Sequence, residues 1–208
     1  MSSTTRLEAF SDGVFAIAAT LLVLDLKVPD VKHGLVHALD AQWPSYASFV
    51  VSFLIIGTIW TNHHAAFEHI VRIDRRLLFL NLGLLLTVAL IPFPTAILAK
   101  YLHAGHDEAA AAAVYSGFMA AMGMAFGALW SYAVREHRLL GTSLSPAEAA
   151  ALRRRFVIGA PAYLVAIGVA FVSAPACLIL NALLAVYYAM PTRGGAIPHA
   201  AERREAAA

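Results

Sequence analysis

Long apolar runs separated by short polar segments divide the chain into six candidate membrane spans, because a helix needs roughly 20 apolar residues to cross the hydrocarbon core. The first covers about residues 8–26. The second opens at "WPSYASFVVSFLIIGTIW", where Trp43 suits the interface and Pro44 the first helical turn. The third is "LLFLNLGLLLTVALIPFPTAILA", with Pro92 and Pro94 placed to kink or loosen its last turns. The fourth is alanine-rich and starts beside Asp107, a candidate cap. Ser145, Pro146 and Glu148 form a capping-box pattern ahead of the fifth, which begins in water and continues as "FVIGAPAYLVAIGVAFV". A tight turn at "SAPA" leads to the short final span, "CLILNALLAVYYAM". The pattern predicts an all-α membrane protein, with one transmembrane domain over residues 1–190 and a flexible tail over 191–208.

Charge gives this arrangement a direction. With the N-terminus inside, twelve of the 15 Lys and Arg residues fall on the cytoplasmic side, and only Lys27, Lys32 and Lys100 fall opposite. The positive-inside rule then places both termini in the cytoplasm and makes the number of spans even. Composition agrees: of 208 residues, 60% are hydrophobic and only 13% charged, and the mean hydropathy is +0.70, too apolar for a water-soluble domain of this size. A net charge of +2 spread over short clusters argues against nucleic acid as a partner. Cys177 is the only cysteine, which excludes an intrachain disulfide and a multi-cysteine metal site. The opening "MSSTTRLEAF" has no signal-peptide pattern, so the first helix is expected to stay in the protein.

Polar residues inside such spans are the candidates for function. On a helical wheel Ile17, Leu21 and Leu24 make one narrow apolar stripe with Thr20 on its flank, while Ser11 and Asp12 point elsewhere. A carboxylate at the membrane boundary is costly unless it is paired, so Asp12 is expected to find partners on neighbouring helices. Trp60, Asn62, His63 and His64 lie at about the same depth. Polar packing and interface solvation are the ordinary roles of such histidines. His64 and Glu68 have metal-ligand spacing, but no further ligand cluster accompanies them. Asn81 and Asn181 are expected to tie helices together by hydrogen bonds. Gly13, Ala16, Ala18 and Ala19 narrow the first helix, and Gly117, Gly123 and Gly127 the fourth, for close packing. No nucleophile–base pair or phosphate-binding loop is present, so no enzyme activity is expected.

The stretch "RLEAFSDGVFAIAATLLVLDL" resembles the start of the transmembrane protein 175 family of endolysosomal potassium channels and their prokaryotic relatives. Arg6, Phe10, Ser11 and Asp12 match that family's Arg-x-x-x-Phe-Ser-Asp signature, and "IWTNHHAAFEH", "RIDRRLLFLNL" and "LIPFPTAILAKY" are similar to its second and third helices. The resemblance spans roughly residues 6–101. It implies a six-helix subunit without a reentrant pore loop, assembled as a homotetramer whose first helices line a pore on the symmetry axis. It assigns the hydrophobic constriction to Ile17, with Leu21 and Leu24 further along. It also implies an interhelical network drawn from Arg6, Phe10, Ser11, Asp12, Trp60 and His63 or His64.

The function so implied is potassium-preferring cation conduction across a cell membrane, with potassium as the permeant ion and no cofactor. Thr20 would flank the pore and Asp25 would sit at its outer mouth, where an ordinary helix-end carboxylate is an equal reading. Read without the resemblance, the Ile17 stripe faces lipid or the subunit's own core. The alternative function is a proton-coupled secondary transporter using Asp12 and the histidines as a relay, although no internal repeat accompanies it.

Overall fold

A computed structural model describes residues 3–29, 34–102, 105–135, 139–141 and 145–190. The tail expected over 191–208 lies outside the described residues, as do Lys32, Arg138, Arg193, Arg203 and Arg204. Among the described residues the α-helices are α1 (Ser3–Leu21), α2 (Leu35–Asp40), α3 (Trp43–Glu68), α4 (Arg75–Ala89), α5 (Pro92–Tyr101), α6 (Glu108–Arg135), α7 (Pro146–Ala170) and α8 (Ala174–Ala189), and no strand longer than an isolated bridge forms. Among the described residues, four helical stretches are long and apolar enough to cross a membrane: Thr4–Asp25, Trp43–Glu68, Arg75–Tyr101 and Glu108–Arg135. The apolar helix Ala174–Ala189 is shorter, and α7 carries three consecutive arginines near its start. Large apolar side chains cover much of the outside, among them Phe93, Leu164, Phe171 and Leu183, as expected where lipid replaces water.

Proline chemistry explains the break between α4 and α5. Neither Pro92 nor Pro94 has an N–H, so the carbonyls of Val88 and Leu90 lose their usual i+4 donors. Shorter i+3 bonds replace them: Ile91 N–H donates to Val88 O at 3.1 Å, and Phe93 N–H to Leu90 O at 3.1 Å. The expected loosening is therefore a local tightening of the backbone, with every affected carbonyl satisfied. Just beyond it, Thr95 donates to Ile91 O at 2.8 Å, so its oxygen accepts from Ser52 at 2.7 Å, and Ser52 in turn accepts from Tyr115 at 2.9 Å. This chain of hydroxyls is buried and ties α3, α5 and α6 together. A second tie joins α6 to α8, where the Asn181 amide donates to Ser116 at 3.0 Å beside Cys177.

The capping box at α7 forms as expected, with Ser145 accepting from the Glu148 N–H and Glu148 reaching back to the Ser145 N–H. Asp107 does not cap α6 as expected. Its backbone is left-handed, with φ 64°, and its side chain pairs with His106 at 3.0 Å. An N-cap needs extended backbone to aim its side chain at the first free N–H groups, which φ > 0 prevents.

The glycines of α6 serve differently. A Cβ at Gly127 would touch the Phe156 carbonyl oxygen on α7 at 3.7 Å, so the two backbones run close there, whereas Gly117 faces open space.

Side-chain contacts gather the arginines at one end of the bundle. Asp12, midway along α1, meets Trp60 in the second half of the antiparallel α3, so the Arg6 end of α1 lies towards the Glu68 end of α3. Asp74, which caps α4, accepts from Tyr132 late in α6 at 2.7 Å. Arg155 of α7 donates to the Tyr187, Tyr188 and Met190 carbonyls at the end of α8, at 2.9, 3.1 and 2.8 Å. These are the free carbonyls that a helix C-terminus leaves, and a guanidinium there also opposes the helix dipole. Arg6, Arg72, Arg75, Arg76, Arg135 and Arg153–Arg155 thus share one end, as the charge pattern requires.

Candidate ion pathway

The first helix has two unlike faces. Leu7, Ser11, Phe15, Ala18 and Leu22 recur at i, i+4, i+8, i+11 and i+15 and are all buried. On the other side Arg6, Phe10, Gly13, Ile17, Leu21 and Leu24 form a continuous exposed line. Ile17 is 61% exposed, Leu21 41% and Leu24 71%. The α-helix ends at Leu21 and tightens into a 3-10 turn over Leu22–Asp25. Residues three apart eclipse in that geometry, so Leu24 stands over Leu21 and the apolar line continues to the helix end. Asp25 closes the turn, half-exposed.

Thr20 flanks this line. Its hydroxyl lies 3.0 Å from both the Ala16 and the Ile17 carbonyls. The proton is therefore directed at the backbone and the oxygen lone pairs point outward, an arrangement suited to a cation rather than an anion.

What fixes the rotation of α1 is a polar clamp on its buried face. Ser11 donates to Leu7 O at 2.9 Å and accepts from the Asn81 amide at 3.0 Å. The Asn81 carbonyl accepts from His63 Nε2 at 2.9 Å, which places the proton on that nitrogen. The His63 ring stacks on Phe67 with centroids 4.3 Å apart and lies tilted against Phe15 at 5.4 Å. All three polar members are at most 1% exposed. Three helices are thereby joined by one amide that uses both its donor and its acceptor.

A more exposed contact lies alongside. Trp60 Nε1 donates to Asp12 Oδ1 at 2.9 Å, and His64 stacks on the Trp60 ring at 6.3 Å. The two histidines thus divide: His63 enters the buried clamp, and His64 flanks Trp60 while approaching Glu68 at 3.8 Å. No group of three metal-ligating side chains forms among the described residues. Asn62 stands apart, with its amide donating to Thr58 O and Tyr188 O at 2.8 and 3.1 Å. Arg6 and Phe10 also stand apart within one chain, being exposed on the Ile17 side of the helix.

Asn81 was expected to tie helices but was not counted in the network of Ser11 and His63, and it is the residue that joins them. Its usable signal is depth, since a lone amide early in a span can meet Ser11 and His63 at the same level.

A model for the endosomal/lysosomal potassium channel TMEM175 matches residues 6–92. A potassium channel of Streptomyces collinus is 52% identical over 205 residues, covering 95% of this chain and 100% of that one. A potassium channel of Chamaesiphon minutus is 43% identical over 194 residues, covering 91% of this chain and 95% of its own. The crystal structure of a lysosomal potassium-selective channel TMEM175 homolog from Chamaesiphon minutus superposes with a TM-score of 0.83 at 40% identity, covering 94% of this chain and 100% of that one.

Proposed function

Because the chain belongs to the TMEM175 family of ion channels, we propose that it forms a potassium-preferring cation channel in the cell membrane. The protomer crosses the bilayer six times with both termini in the cytoplasm, and four protomers close around an axis lined by α1. Ile17, Leu21 and Leu24 form successive apolar rings, with Ile17 the narrowest. One observation carries this reading: a clamped helix presents an unpartnered line of apolar residues flanked by an outward-facing hydroxyl oxygen. Closed symmetry supplies the remaining walls of a pore to which each subunit contributes one helix.

An apolar ring that narrow dewets and blocks ions; slightly wider, it passes a partly dehydrated cation. Backbone carbonyls in an intact α-helix already accept intrahelical bonds, so preference arises from width, dehydration and the Thr20 oxygens. Asp25 at the outer mouth raises local cation concentration. The relay reading is not favoured, because His63 is held between two aromatic rings and an amide and no internal repeat supports alternating access.

Purified protein in liposomes should pass potassium faster than sodium, without saturation in the millimolar range and without proton coupling. Flux that requires a proton gradient would overturn the proposal.

In this scheme Asp12 positions α1 through Trp60 and does not touch the permeant ion. Asp12→Ala should therefore lower tetramer yield or open probability while leaving the reversal potential in mixed potassium and sodium unchanged. Size exclusion and bilayer recording check the two arms, and an altered reversal potential with normal assembly would reverse the roles.

A further inference from the structure

At the arginine-rich end of the bundle, a cleft of about 540 Å³ opens between α4 and α6, lined by Arg75, Arg76, Phe79, Leu80 and Tyr132. Its size suits a small-molecule headgroup. Both guanidiniums are exposed, and among the described residues neither pairs with a carboxylate. The adjacent Asp74 is engaged, accepting from the Leu77 N–H at 2.9 Å and from the Tyr132 hydroxyl at 2.7 Å. Arg75 lies over the Phe79 ring at 5.8 Å, which holds its donors at the rim. The site is thus cationic, and its floor is apolar.

The surface beyond the cleft decides what occupies it. Phe79, Leu82, Leu86, Leu90 and Phe93 follow at helical spacing and are all exposed, so an apolar track runs from the two arginines along the membrane-crossing stretch Arg75–Tyr101. We propose that the cleft binds the phosphate-bearing headgroup of an anionic phospholipid, whose acyl chain lies along this track. Guanidinium–phosphate pairing is strong and often bidentate. A free phosphate would use the arginines but leave the track uncovered. A second copy of the chain would bury two cations and would need carboxylates to offset their desolvation.

The test uses the assembled protein in mixed micelles with equal phosphatidylglycerol and phosphatidylcholine, and counts retained lipid by native mass spectrometry. Wild type should retain phosphatidylglycerol over phosphatidylcholine by about tenfold, from two interfacial arginines acting together. Arg75→Gln/Arg76→Gln should abolish most of that preference, and either single substitution should reduce it by roughly threefold if the double variant does not assemble. Arg72→Gln, outside the cleft, should leave it intact. Millimolar inorganic phosphate should not displace the lipid. Equal retention of both lipids by wild type would overturn the proposal, as would undiminished preference in the single and double variants or ready displacement by inorganic phosphate.

Discussion

Ile17→Asn should yield an assembled channel with larger unitary currents and a potassium-to-sodium permeability ratio approaching unity. Ile17 is 61% exposed within the subunit, so the substitution removes little core packing and leaves the fold in place. Its effect falls on the ring that four such residues form at the axis. An amide there binds water that isoleucine excludes, which removes the dewetting barrier and lowers the cost of bringing an ion through. A barrier lowered by about 1.4 kcal/mol corresponds to roughly tenfold faster passage, and the expected conductance gain lies between about threefold and tenfold. Selectivity falls for the same reason, because ions that keep their hydration shells no longer differ much in dehydration cost. Single-channel recording in symmetric and bi-ionic solutions reads both quantities. Wild-type conductance and reversal potential in an intact tetramer would count against a constriction at Ile17.

The second large effect is structural. Asn81→Leu should destabilise the subunit and its assembly, because it removes the partner of both Ser11 and His63 in one step. Ser11 keeps its bond to Leu7 O, so most of the loss falls on His63, whose Nε2–H is left unpaired between Phe15 and Phe67. An unsatisfied buried donor costs about 1–3 kcal/mol, enough to lower the melting temperature and the tetramer yield. Channels that still assemble should retain potassium preference, since no clamp residue faces the proposed pore. Replacing both partners by apolar groups is far less harmful than orphaning one. Asn81→Leu combined with His63→Leu should therefore recover much of the lost stability. Thermal unfolding in detergent and size exclusion measure the series, and a single variant that melts like wild type would show that the clamp does not hold α1.

Much of this architecture is legible in the sequence, and the reasons are local. Helix starts at Trp43 and Ser145 and the break at Pro92 follow from covalent features of the backbone, so short motifs suffice to locate them. The two faces of α1 follow from helical period, which separates the Ile17 stripe from Ser11 without knowledge of neighbours. Asp12 was expected to find a partner at its own depth, and Trp60 supplies it. What stays hidden depends on rotation and contact between helices. His63 and His64 are adjacent and chemically alike; only the packing of α3 against α1 and α4 turns one inward and leaves the other on Trp60. Asn81 gains its role from lying opposite two polar groups brought in by other helices. The 3-10 turn over Leu22–Asp25 and the left-handed Asp107 are backbone choices that residue type does not dictate. Arg155, read only as one of many cytoplasmic charges, closes the end of α8 because the last two helices return side by side.

If Ile17 borders the ion route, a cysteine placed there is reachable from the aqueous pathway. Cys177 is the only native cysteine and is buried, so Ile17→Cys introduces one reachable thiol per subunit. Silver ions, close to potassium in size and reactive with thiols, should enter the route and abolish potassium current in this variant while sparing wild type. Current that persists through silver exposure, with the new thiol reacting only with a lipid-soluble maleimide, would place Ile17 against the bilayer and rule out a pore lined by this face of α1.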